Sequence, residues 1–200
     1  MNNRDLISPP YDGFQDRTLV LASQSPRRRQ LLEWADLNFQ VIVVPTDEHY
    51  DPELPVEEIP VHIARQKSFA INAPADSIVI AADTIVVSDG LVMGKPVDED
   101  DAVTSLARLS GRVHQVITGV FLRGRSEISF SDITFVEFHE LTEAEIRFYV
   151  RKYRPYDKAG AYGIQEWIGV AGIKSINGDF YNVMGLPVSR VLQALKSGVL

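Results

Sequence analysis

Residues 77–87, Ser-Ile-Val-Ile-Ala-Ala-Asp-Thr-Ile-Val-Val, constrain this chain more than any other segment. Apolar and β-branched side chains fill the run on both parities, so neither face of the strand it forms can be left to water. Strands of this kind belong to sheets covered on both sides by helices. Asp83 interrupts the run. An ionised carboxylate in such a place loses much of its solvation energy unless a cation or hydrogen bonds compensate. The segment therefore predicts cationic partners for Asp83, and the chain offers Arg27, Lys67 and Lys95.

The flanking sequence supplies the rest of an α/β domain. Residues 18–22 read as a short strand, and Ser25-Pro26 opens a helix ending near Asp36, with serine as N-cap and proline in the first turn. Residues 39–44 read as a second strand closed by Pro45, and a helix is predicted over about 56–73. Asp89-Gly90 is a turn signal that joins 78–87 to 91–93 as a hairpin. Residues 98–109 read as a helix with acidic residues at its positive end and Gly111 beyond its other end. Residues 113–122 and 128–138 read as neighbouring strands, and Thr142-Glu143-Ala144-Glu145 has the spacing of a capping box. The glycine-rich stretch 160–185 reads as a loop, and Pro187 opens a last helix to about Lys196. Residues 1–17 read as a loosely held arm, leaving 18–200 as one domain. This order predicts an α/β fold with a mixed sheet.

Composition narrows the function classes. With no cysteine, the chain has no disulfide scaffold, thiolate zinc site or cysteine nucleophile. A net charge of −7 makes a nucleic-acid backbone an unfavourable partner, while a local cationic pocket for a small anion stays compatible with it. No apolar stretch approaches the roughly 20 residues of a bilayer span, so no membrane partner is expected. The first residues lack the layout of a signal peptide, and the expected location is cytoplasmic. The four histidines are scattered, without metal-ligand spacing.

Several segments carry residues suited to chemistry. Ser23-Gln24-Ser25-Pro26-Arg27-Arg28 joins a strand to a helix, where free backbone N–H groups, the two hydroxyls and Arg27 would bind a phosphate. Taken alone, it is equally a capped helix followed by three solvated arginines. Lys67 falls inside a predicted helix and by itself reads as a surface lysine. Lys95, after the hairpin, is placed to return towards Asp83. Asp83 with Glu48 would supply the one or two carboxylates that magnesium takes alongside phosphate oxygens. In 155–165, Gly160 and Gly163 allow close backbone approach, and Gln165 carries the donor and acceptor that suit the edge of a pyrimidine. That segment, like 178–187, also reads as a plain structural loop.

Taken in order, six segments resemble the Maf family of nucleotide pyrophosphatases, and the likeness runs from about residue 18 to 196. They are residues 21–28 (LASQSPRR), 82–84 (ADT), 94–96 (GKP), 110–120 (SGRVHQVITGV), 157–165 (DKAGAYGIQ) and 182–187 (NVMGLP). The resemblance implies hydrolysis of a nucleoside triphosphate to the monophosphate and pyrophosphate, assisted by a divalent metal, magnesium or manganese. It implies an elongated mixed sheet flanked by helices, two lobes with a central cleft as in the inosine-triphosphatase-like folds, and a homodimer. Asp83 takes the place of the family's proton acceptor. Arg27, Thr84 and Gln165 match the residues associated with substrate choice in the dTTP/UTP branch; a sister branch acting on 7-methyl-GTP has an acidic residue where Gln165 stands. Ser23, Ser25, Lys67 and Lys95 are then expected on the substrate, with Asp83 and Glu48 on the metal. The chain departs from the family at Gln24, where glycine is common, and at Glu166-Trp167-Ile168, where small residues are usual. Two rival readings remain at this point: a purine-selective ITP/XTP pyrophosphatase, and a non-catalytic, division-related nucleotide binder.

Overall fold

The computed structural model describes Phe14 and residues 16–200. Its spine is β3 (Ile78–Ser88), the strand that carries Asp83. Alternate residues of β3 enter different apolar clusters. Ile78, Ile80, Ala82 and Val86 join the largest, Val79 and Ala81 a second, Ile85 and Val87 a third. A strand of period two that is covered on both faces divides its side chains in this way.

The other strands assemble on the two edges of β3. On one edge, β1 (Leu19–Leu21) runs parallel to it against Ile78–Ile80, and β2 (Phe39–Val41) runs parallel to β1. Further along the same edge, β4 (Leu91–Met93) returns as the expected hairpin against Val86–Ser88. On the other edge, β5 (Val113–Arg123), β6 (Glu127–Phe138) and β7 (Ile173–Asn177) add antiparallel. The sheet is seven-stranded and mixed, in the order β2-β1-β3-β5-β6-β7 with β4 on β3, and helices flank it. This is the α/β class read from the sequence. Residues 81–85 of β3 fall between the pairings of β1 and β4, so the sheet is notched beside Asp83 and Thr84.

Helix ends follow their capping residues. In α1 (Pro26–Trp34) the Ser25 hydroxyl accepts from the Arg28 N–H, and in α3 (Glu99–Leu109) the Asp98 carboxylate accepts from that of Asp101. In α4 (Glu143–Tyr153) Thr142 and Glu145 complete the capping box, and α7 (Val188–Lys196) starts just after Pro187. The second helix, α2 (Ile59–Ala70), is shorter than the 56–73 expected. Pro60 fits only its first turn, and Val56 instead packs with Tyr50 and Leu54 on the third cluster. α2 lies directly on the sheet at Gly119, which pairs with Asp83. A Cβ at Gly119 would stand 2.1 Å from the Val61 nitrogen, so this contact requires glycine.

Two further expectations need correction. β2 ends at Val41 rather than at 44: the Ile42 N–H still bonds the Leu21 carbonyl, and Val43, Val44, Pro45 and Thr46 line a cavity instead of pairing. The stretch read as a loop over 160–185 contains α5 (Trp167–Ala171), β7 and α6 (Phe180–Met184). The arm over 1–17 lies mostly outside the described residues. Of its described part, Phe14 is buried in the main cluster, and the Arg17 guanidinium donates to the carbonyls of Asp76 at 3.1 Å and Ser77 at 3.3 Å. That end of the arm is tied down. Among the described residues, no helix is long and apolar enough to cross a membrane.

Candidate active site

The notch in the sheet opens into a cavity of about 500 Å³. Ser23, Ser25, Arg27, Glu48, Lys67, Asp83, Thr84, Lys95 and Gln165 all line it, so the catalytic, substrate-binding and metal candidates read from the sequence reach one space. Both halves of the chain contribute to its wall, the 22–28 turn, 42–48 and α2 from one, residues 157–165 and 183–185 from the other. Five cationic side chains against three anionic ones line it, on a chain whose net charge is −7. An anionic ligand is therefore drawn to this cavity rather than to the surface at large.

Asp83 sits on the α2 face of β3, where the strand's parity would otherwise continue the Val79, Ala81, Ile85, Val87 row. Its compensating cation is Lys67 of α2, whose Nζ donates to Asp83 Oδ1 at 2.6 Å. The same ammonium lies 2.8 Å from Glu48 Oε1. Burial pushes the Glu48 carboxyl up, but the hydrogen bond and charge of Lys67, with Lys95 and Arg28, hold it below the ordinary glutamate value.

Of the three cations expected on Asp83, only Lys67 makes a close pair. Arg27 instead donates to Asp157 Oδ2 at 2.8 Å. Asp157 also accepts from Lys158 at 2.8 Å. Burial raises the Asp157 carboxyl, but these two partners outweigh it and hold its pKa down to about 2. Lys95 lines the cavity and acts on Glu48 through its charge.

Arg28 is the residue the sequence did not single out. Successive helical side chains diverge by about 100°, so Arg27, Arg28 and Arg29 cannot share one direction. Arg28 turns inward and is 8% exposed, whereas Arg29 pairs with Glu33 at the surface. Its Nε donates to the Gly185 carbonyl at 2.7 Å, and its terminal nitrogens to Ser23 Oγ at 3.1 Å and Thr84 Oγ1 at 2.9 Å. Burial lowers its pKa and the Asp83 charge opposes that, with a net downward displacement. A guanidinium stays charged at neutral pH even so. Gly185 has φ 119°, which lets it close α6 and turn its carbonyl to Arg28.

Thr84 lies on the opposite face of β3 from Asp83, and its hydroxyl is fixed by its neighbours. Thr118 Oγ1 donates to the Asn182 carbonyl at 3.1 Å, so in the 2.9 Å contact between the two threonines Thr84 is the donor. With Arg28 donating to it, Thr84 keeps only acceptor capacity for anything in the cavity. Ser23 is the converse: it accepts from the Ser25 N–H and from Arg28, and its own proton is left for a ligand oxygen.

Among the described residues, no group of three or more His, Asp or Glu is arranged to hold a metal ion. Asp83 and Glu48 converge on the Lys67 ammonium and so lie within reach of one point. Two hard carboxylate donors fit magnesium or manganese when phosphate oxygens and water complete the shell. They do not fit a metal held by protein alone.

Residues 18–198 match the family model described as Maf-like protein. A protein of Phocaeicola vulgatus named dTTP/UTP pyrophosphatase is 50% identical over 92% of this chain and 98% of its own length. Proteins of the same name from Cytophaga hutchinsonii and Porphyromonas gingivalis are 49% and 44% identical, over 89% and 92% of this chain and 83% and 96% of their own lengths. Among solved structures, a HAM1 protein from Coxiella burnetii aligns over 90% of this chain and 99% of its own, at 14% identity and a TM-score of 0.48. The chain belongs to the Maf-like protein family.

Proposed function

We propose that this chain hydrolyses dTTP and UTP to the nucleoside monophosphate and pyrophosphate, with Asp83 as the base. The observation that carries the reading is one cavity in which a strand-borne carboxylate stands beside an anion cradle built on a capped helix start. Relatives named dTTP/UTP pyrophosphatase at 44–50% identity support the substrate class.

The triphosphate lies over the 23–28 turn. There the α1 N-terminus, the Ser23 proton, the free N–H groups of Arg27 and Arg28, and Lys95 neutralise its oxygens. Asp83 takes a proton from a water as the water oxygen bonds to the α-phosphorus. The bond from that phosphorus to the bridging oxygen then breaks, and pyrophosphate leaves towards the cationic wall. Asp83 and Glu48 would hold magnesium or manganese, which supplies charge neutralisation and polarisation of a phosphoryl oxygen. Gln165 presents one donor and one acceptor to the pyrimidine edge. Most of the rate gain comes from positioning and charge stabilisation. The proposal includes a homodimer, as the family resemblance implies, and the cytoplasmic location expected from the sequence; light scattering measures the dimer.

The test is pyrophosphate release across dTTP, UTP, CTP, ATP, GTP and ITP, with magnesium and with manganese. Fastest turnover of dTTP and UTP supports the reading. Faster turnover of ITP replaces it with a purine-selective enzyme, and nucleotide binding without pyrophosphate release replaces it with a binding protein.

A further inference from the structure

Lys67 holds two carboxylates with one ammonium. Its Nζ lies 2.6 Å from Asp83 Oδ1 and 2.8 Å from Glu48 Oε1, and its side chain is 16% exposed. These two carboxylates are the donors assigned above to a divalent ion. Magnesium binds carboxylate oxygens at about 2.0–2.1 Å. An ion shared by Asp83 and Glu48 therefore falls in the space the ammonium fills.

The two cations cannot occupy that space together. An ammonium and a dication a few ångströms apart repel strongly in a partly desolvated site. Arg28 and Lys95 also act on Glu48, so a bare dication meets more positive charge on approach. With no cation at all, the two carboxylates would be left uncompensated. The site is therefore in order without metal and opposed to metal on its own. A triphosphate changes that balance, because it brings several negative charges and new acceptors for the Lys67 N–H groups. The flexible four-carbon stem of Lys67 lets the ammonium follow them.

We propose that Lys67 is a placeholder for the metal: its ammonium neutralises Asp83 and Glu48 in the free protein and yields them when a triphosphate arrives. The divalent ion then enters with the nucleotide rather than before it. This rests on the metal assignment made under the proposed function, but its test needs no turnover.

The test is Mn²⁺ binding to the full chain without nucleotide, read by calorimetry and by the electron paramagnetic resonance signal of free Mn²⁺. Lys67→Met keeps the stem and removes the charge. It should bind Mn²⁺ roughly tenfold or more tightly than wild type, because the competing cation beside both donors is gone. Added Mn²⁺ should raise its Tm by more than it raises that of wild type. Lys67→Gln, whose amide still donates to a carboxylate, covers failure of the Met variant to fold and should show the same gain. Adding Glu48→Gln should remove the gain. Mn²⁺ affinities of Lys67→Met or Lys67→Gln no higher than wild type would overturn the proposal, as would a gain that survives Glu48→Gln. Neither readout depends on which nucleotide is hydrolysed, so a failed substrate panel and a failed placeholder are distinct results.

Discussion

Gly119→Ala disturbs the site from outside the cavity. Gly119 pairs with Asp83 across β3 and β5, and it does not line the cavity. An added Cβ would stand 2.1 Å from the Val61 nitrogen, 2.3 Å from the Pro60 carbonyl carbon and 2.6 Å from its oxygen. All three are backbone atoms, so no change of rotamer relieves the clash. The first turn of α2 must retreat by roughly 1 Å or more to regain ordinary contact. Overpacking of this kind costs about 1–3 kcal/mol. At roughly 2–4 °C per kcal/mol for a domain of this size, Tm should fall on the order of 5 °C. The same retreat displaces α2 and the Lys67 it carries relative to the cavity, and a misplacement of about 1 Å can cost on the order of 10²-fold in rate. Calorimetry and pyrophosphate release on the same preparation measure both effects. A Gly119→Ala protein with wild-type Tm and wild-type kcat/KM would refute the seating of α2 on this glycine and its link to the site.

Two other substitutions probe the surroundings. His114 is 2% exposed, with Nε2 2.7 Å from the Tyr162 hydroxyl, and burial lowers its pKa from 6.5 to about 4. The unfolded chain thus takes up the proton first: the stability contribution is full above about pH 6.5, declines as pH falls towards 4, and changes no further below. Wild type should lose about 3 kcal/mol more than His114→Gln between pH 7 and 4, measured by urea titration at each pH. Arg28→Lys replaces a fork that serves Ser23, Thr84 and Gly185 with a single ammonium. It should cost about 1–3 kcal/mol of stability through buried acceptors left unpaired, and it should raise KM for the triphosphate, both checked by denaturation and steady-state kinetics.

Much of the site could be read in the sequence because its residues are chemically out of place. Asp83 stands out in an apolar run, and Ser25-Pro26 marks a helix start whatever surrounds it. Arg28 could not be told from Arg27 and Arg29, since three adjacent arginines differ only in helical direction, and that direction is set by where α1 packs. β7 was missed because Ile-Lys-Ser-Ile-Asn has few apolar residues and is mostly exposed, so no pattern announces a strand whose pairing comes from β6. α5 and α6 are five residues each, too short for periodicity, and α5 holds Gly169 where a Cβ would stand 1.7 Å from the Ile164 carbonyl oxygen. Val43 and Val44 have strand propensity, yet they line the cavity, and tertiary placement overrode propensity there.

If Asp83 is the base in cleavage at the α-phosphorus, the comparison of wild type with Asp83→Asn shows it. Asparagine keeps the shape and removes the proton acceptor. Wild type should release pyrophosphate and monophosphate in equal amounts from dTTP and UTP, and Asp83→Asn should do so about 10²-fold more slowly or worse. Turnover by Asp83→Asn at the wild-type rate would rule out Asp83 as the base, and release of orthophosphate and a diphosphate in place of pyrophosphate would rule out cleavage at the α-phosphorus.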